Sequence, residues 1–167
     1  LETRNLSYSY HAGQAVLNDI SLKIYDGSVT VLLGLNGSGK TTLIKVLTGL
    51  LKPLKGTTFI EAKDITQISS TELSKLISYV PQNISDDTDF AVLDYLTFGR
   101  MNTIKFYSSP KSEDYEKAKA VANDLGITDL LAEKMNELSG GQRQLVTIAR
   151  AVVQDSGIII WMNQRHP

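Results

Sequence analysis

The stretch Gly34-Leu-Asn-Gly-Ser-Gly-Lys-Thr-Thr42 decides the fold. Gly34, Gly37 and Gly39 let the backbone curl until its amides converge on one point, the geometry that cradles phosphate oxygens. Lys40 follows as a point charge that reaches β and γ phosphates, and the Thr41 hydroxyl is a magnesium ligand by type. Asn36, Ser38 and Thr42 complete the polar groups of the loop. Such a loop needs a strand before it and a helix after it. Residues 29–33, Val-Thr-Val-Leu-Leu, read as the strand. Leu43, Val46, Leu47 and Leu50 recur at helical spacing and predict one apolar face. A helix starting near Lys40 would add the positive end of its dipole to the phosphate site.

Working outward, residues 2–10, 15–24 and 28–33 read as strands, punctuated by Gly13 and Asp26-Gly27. Residues 57–60 and 76–80 predict two more, the second stopped by Pro81. Between residues 82 and 137 the pattern turns helical. Residues 90–100 and 112–125 are the predicted helices. The second has Ser112 as cap, Ala118, Val121, Ala122 and Leu125 as apolar face, and Gly126 just past its end. A helix over 142–153 and an apolar strand over 157–160 resume the α/β alternation. The expectation is a sheet with helices packed on it and a helical insert.

The bulk properties narrow the function class. The chain has 167 residues, 42% hydrophobic and 21% charged, enough for a real core. A formal net charge of -1 speaks against a broad nucleic-acid surface, which needs a clustered basic face. With no cysteine there is neither a disulfide framework nor a thiolate metal site. No apolar run approaches the ~18–20 residues that span a bilayer, and no leader peptide is visible. Leu1 is not methionine, so the start is expected to be incomplete. Work at a membrane would run through partners.

Leu138-Ser-Gly-Gly-Gln142 is the second motif. Taken alone it is a helix start with Ser139 as N-cap, which is also how a segment presents amides to a phosphate. Lying about a hundred residues after the loop, it completes a pattern over residues 1–160 that resembles the ATP-binding cassette (ABC) family. The resemblance implies a P-loop NTPase core of the ABC type, built from residues 1–82 and 138–160, with a helical subdomain over 83–137. It implies ATP and Mg2+ as cofactors. It also implies a head-to-tail dimer in which Ser139, Gly140, Gly141 and Gln142 bind the γ-phosphate of ATP held by the opposite subunit. Tyr10 would stack on adenine, with Tyr8 as the alternative. Gln82, in Tyr79-Val-Pro-Gln82, would contact magnesium and the attacking water and couple to a membrane-spanning permease subunit. The protein would then sit at the cytoplasmic face of the membrane through that partner. Val92-Leu-Asp-Tyr-Leu-Thr-Phe-Gly-Arg100 is similar to importers of iron-siderophores, haem and cobalamin, although it also reads simply as an amphipathic helix. A soluble ABC ATPase of DNA repair or translation is disfavoured, because the spacing leaves no room for a long coiled coil and the charge is near neutral.

The resemblance also exposes a gap. After an apolar strand such as residues 158–160 the family has Leu-Asp-Glu-Pro-Thr-Ser, in which the aspartate holds magnesium through water and the glutamate polarises the attacking water. Met162 and Asn163 stand there instead, and neither replaces a carboxylate. Trp161, Met162 and Asn163 must be written TGG, ATG and AAY. Read from the last base of codon 160 they give nTG-GAT-GAA, with Asp and Glu forced. The next triplets allow Pro, Thr and Ser. Residues 161–167 are therefore expected to be an out-of-frame tail, produced by one inserted base (or two lost) near residues 158–160, with His166 a by-product. The chain is expected to bind nucleotide without hydrolysing it, or to be a remnant of poor solubility with exposed apolar strands.

Overall fold

A computed structural model describes residues 1–11, 13–82, 89–104 and 108–162. The chain divides into two compact units, Leu1–Leu73 and Ser74–Pro167.

The first unit is an antiparallel sheet with a helix. Its elements are β1 (Glu2–Ser9), β2 (Ala15–Lys23), α1 (Lys40–Leu47), β3 (Lys55–Ile60) and β4 (Lys63–Asp64). The strand order is β2-β1-β3-β4, each neighbouring pair antiparallel. Leu6 and Leu17 are buried from the sheet, and Leu43, Ile44, Val46 and Leu47 from α1. The β1–β2 ladder is bulged. Asn5 and Asp19 both take positive φ (49° and 55°), and the Asn5 Nδ2 donates to Asp19 Oδ1 at 2.7 Å across the bulge. Gly56 has φ 70°, and a Cβ there would stand 2.2 Å from the Arg4 carbonyl, so β1 and β3 approach more closely than any side chain allows.

Two expectations fail in this unit. Residues 28–35 form no strand, and Val29, Val31 and Leu33 are largely exposed. A strand exists only where a neighbour pairs with it, and no described strand pairs with this segment. Leu50 is exposed because α1 ends at Leu47, with Thr48 as cap and Gly49 at φ 73° turning the chain.

In the second unit β5 (Ile77–Val80) and β6 (Ile158–Trp161) pair in parallel, register Ile77↔Ile158 to Val80↔Trp161. β5 follows α2 (Ser70–Leu76), so Leu76 closes a helix and does not open the strand. Three helices build the core: α3 (Val92–Thr97), α4 (Ser112–Asp124) and α5 (Gly140–Val153). Val92, Leu96, Ala118, Ala122, Val146, Ala149 and Val153 are fully or nearly fully buried there, together with Met135. Burying a side chain of Leu or Val size contributes about 1.5–3 kcal/mol, so this helical cluster dominates the unit. The predicted helix over 90–100 is shorter than expected, continuing past Thr97 as a 3-10 turn, Phe98–Asn102. Lys111, not Ser112, occupies the cap position of α4, and Asp114 Oδ2 accepts the Lys111 backbone N–H at 2.9 Å. Gly126 takes φ 66° beyond its end, as expected.

Candidate functional site

The Gly-rich loop leads directly into α1. Gly39 is the N-cap residue, left-handed at φ 87°, with no side-chain cap. A Cβ on it would stand 3.0 Å from the Val16 carbonyl and 3.1 Å from Leu17 Cδ2, so β2 forms a wall behind the loop. Gly37 is also left-handed, at φ 79°. A Cβ on Gly34 would meet Ser38 Oγ at 2.8 Å. These positions hold the loop tight and leave room within it for the Lys40 side chain. Lys40 Nζ turns back into the curl, donating to the carbonyls of Gly34 (2.7 Å) and Leu35 (2.6 Å), with Ser38 Oγ at 3.5 Å. The loop from Gly34 through Ser38 is exposed, Asn36 included; Gly39, Lys40 and Thr41 are half-buried, and Thr42 is buried.

Tyr10 joins this group. Its hydroxyl lies 3.3 Å from Thr42 Oγ1, and its ring stands edge-on to Tyr8 at 5.0 Å. Tyr10 is half exposed, leaving ring surface open beside the loop. The first unit thus gathers Tyr10, the loop, Lys40, Thr41 and Thr42 in one place. The backbone of Val16 behind Gly39 was not legible in the sequence, since a wall made by a carbonyl leaves no residue-type signal.

The second unit carries Gln82 and the Ser139 turn. Ser139 is the N-cap of α5: its Oγ accepts from the Gln142 N–H at 3.3 Å, and Gln142 Oε1 accepts the Ser139 N–H at 2.9 Å. Gly140 and Gly141 have open space where a Cβ would stand. Gln82 follows β5 directly, half-buried. Burial pushes the Tyr79 hydroxyl above its ordinary pKa. Met162 sits at the same edge: its N–H donates to the Val80 carbonyl at 3.1 Å. Asn163 lies outside the described residues. Among the described residues no three His, Cys, Asp or Glu side chains group as a metal site.

The residues fit a nucleoside triphosphate. Amides at a helix N-terminus, a glycine lining without Cβ atoms and an ammonium inside the curl are what a phosphate chain requires. For magnesium the fit is partial, with the Thr41 hydroxyl as the ligand beside the loop.

Comparison with known proteins decides the family. The ABC transporter profile matches residues 17–161. The chain belongs to the ABC transporter family. A probable iron chelatin transport ATP-binding protein of Helicobacter pylori is 38% identical over 161 residues, covering 96% of this chain and 63% of that protein. The manganese transport system ATP-binding protein MntB of Bacillus subtilis is also 38% identical, over 95% of this chain and 62% of its own length. A nucleotide-free ATP-binding cassette from an ABC transporter superposes with TM-score 0.84 at 34% identity, over 96% of this chain and 67% of that one. A putative metal-chelate type ABC transporter in an inward-facing conformation gives TM-score 0.82 at 31% identity, covering 96% and 58%. The P-loop NTPase fold of the ABC cassette is thereby shown, and the chain spans about three fifths of the length of the relatives it matches. No helix among the described residues is long and apolar enough to cross a membrane.

Proposed function

We propose that this chain is the nucleotide-binding part of an ABC importer's ATP-binding subunit, and that it binds Mg-ATP without hydrolysing it. The observation that carries the reading is α1, opened by a left-handed glycine with no side-chain cap and with Lys40 Nζ folded into the loop before it. The first-turn N–H groups of such a helix are available to a ligand. Lys40 exchanges its two carbonyl acceptors for phosphate oxygens, a charge-assisted contact of greater strength. Tyr10 offers its exposed ring face to the adenine. Thr41 supplies a hydroxyl to Mg2+, and Gln82 is the second candidate ligand. The bound metal neutralises charge on the phosphate chain. Ser139, Gly140, Gly141 and Gln142 serve a nucleotide held by a second ATP-binding subunit, giving a head-to-tail dimer.

Turnover needs an oxygen base that accepts a proton from water. Met162 cannot supply one, and neither can the amide of Asn163, so the chain holds nucleotide and stops there. Hydrolysis coupled to transport belongs to the full-length subunit, docked on a permease at the cytoplasmic face of the membrane. Iron-siderophore-like chelates are the proposed cargo, supported by the similarity to the probable iron chelatin transport ATP-binding protein of Helicobacter pylori and by Gly99-Arg100. Gly99 has a structural duty as well: a Cβ on it would lie 2.6 Å from the Arg150 carbonyl of α5. Arg100 pairs with Asp114 at 3.3 Å. The domain division 1–82 with 138–160 as core and 83–137 as helical subdomain belongs to the same proposal.

Titration with a fluorescent ATP analogue tests the reading. Saturable, magnesium-assisted binding that unlabelled ATP displaces is the expected result. Binding that survives Lys40→Ala unchanged would overturn it.

A further inference from the structure

β6 stays in parallel register with β5 to its last residue, Trp161 against Val80, and the Met162 N–H extends the ladder to the Val80 carbonyl. Position 162 therefore leaves the sheet where Pro81 and Gln82 leave β5. In parallel sheets ligand-handling groups stand beyond the carboxyl ends of the strands, and a P-loop site takes an aspartate from such a strand end to hold its metal. The strand is intact up to that point: Ser78 Oγ donates to the Ala151 carbonyl at 3.0 Å, and Ser156 Oγ, 2.6 Å from Ser78 Oγ, donates to the Ile158 carbonyl. The scaffold is present and the acid is not.

We infer that the gene still holds the missing acids, one base out of register, at the two positions after β6. The inference rests on the nucleotide-site reading above. Trp161 and Met162 have one codon each, and Asn163 fixes two bases. From the third base of codon 160 the bases read HTG-GAT-GAA, H being A, C or T. The second triplet is aspartate and the third glutamate whatever the codon usage. A leucine codon ending TG, followed by the G that opens an aspartate codon, always reads as TGG in this register. Trp161 is the only tryptophan in the chain. It is half exposed, as is Ile159, so packing gives no reason for a tryptophan at the strand end. The family profile also ends its match at residue 161.

Counting bases reverses the sense of the shift expected from sequence alone. Between codon 157 and the HTG triplet lie codons 158 and 159 and two bases of codon 160, one base short of three whole codons. One base lost between codons 158 and 160 (or two gained) satisfies the count, whereas one base gained (or two lost) does not; the single loss is the smaller change. Restoring the lost base keeps three residues before the leucine and puts aspartate at position 162 and glutamate at 163.

The test uses the natural gene beside a copy with one base restored within codon 160. Three readouts are taken: the DNA sequence beyond codon 167, the intact mass of each product, and Mg2+-dependent phosphate release. The expected result is an open frame that yields a longer product, with release on the order of 10²-fold or more above the 167-residue chain. A stop within the first few shifted codons overturns the inference on DNA alone, whatever the product's folding. A longer product that binds the fluorescent nucleotide but releases phosphate no faster overturns it too, and leaves the binding reading standing. Loss of binding in both products defeats the binding reading itself, and the open frame in the DNA then still decides the inference.

Discussion

Two helix starts in this chain look alike in sequence and differ in structure. Each follows a Gly/Ser-rich turn, at Gly39 and at Ser139. α5 caps itself: Ser139 and Gln142 exchange hydrogen bonds, satisfying one first-turn amide and the N-cap N–H. α1 does not. Its cap is a glycine in the left-handed region, and the nearest cation, Lys40, turns into the preceding loop. A helix that satisfies its own N-terminus is stable without a ligand; one that leaves donors open keeps them for an anion. The difference supports the proposal that residues 34–42 hold the nucleotide of this chain and that the Ser139 turn meets a phosphate brought by another subunit.

The largest expected effect breaks the α1 side. Lys40→Ala removes the ammonium from the loop, and ATP-analogue affinity should fall by about 10–100-fold, as for a lost charge-assisted contact. Unchanged affinity would place the nucleotide elsewhere. Gly39→Ala comes next: at φ 87° with the Val16 carbonyl 3.0 Å from the new Cβ, it should cost about 1–2 kcal/mol in urea unfolding. Nucleotide affinity should weaken with it, because the amides lose their aim. Ser139→Ala sharpens the contrast. It should lower stability by about 1 kcal/mol while leaving ATP-analogue affinity within about twofold of the parent, if the turn serves a second subunit's nucleotide as proposed. A large loss of affinity there would erase the distinction between the two helix starts.

The smallest effect lies away from both. Hydrogen bonds from the Thr66 hydroxyl, the Thr57 hydroxyl and the Thr66 N–H hold Asp64 below the ordinary carboxylate pKa. A depressed folded-state value contributes stability above the unfolded pKa, and that contribution disappears as pH falls through the folded one. Thr66→Val should therefore lower the urea midpoint slightly at neutral pH and by less near pH ~3. A penalty that grows on acidification would contradict the sign.

The features legible in the sequence were those set by local spacing. The loop, the Leu43–Val46–Leu47 face, the Ser139 cap and the buried face of α4 depend on residues within a few positions of one another. What depends on partners was not legible. Residues 29–33 have strand composition, but a strand needs a neighbour, and none of the described strands provides one. The Asn5–Asp19 bulge exists only because β1 and β2 meet. α2 escaped notice because it buries none of its residues, so no hydrophobic period marks it. Its start does carry a signal: Ser69 lies three residues before Glu72, and Ser69 Oγ accepts the Glu72 N–H at 3.2 Å. At the candidate site, residue types gave the loop and the Ser139 turn, whereas the Val16 wall and the Tyr10–Thr42 contact are tertiary. The exposed run Val29, Val31, Leu33 and Leu35 accounts physically for the poor solubility expected of the isolated chain.

The most direct test of the central claim pairs two readings on the 167-residue chain in one experiment: equilibrium binding of Mg-ATP and release of phosphate, each beside Lys40→Ala. The account predicts saturable binding that depends on Lys40, with phosphate release no faster than buffer. Release above buffer that disappears with Lys40→Ala would contradict it, because it would mean that catalysis proceeds without a carboxylate at position 162 or 163.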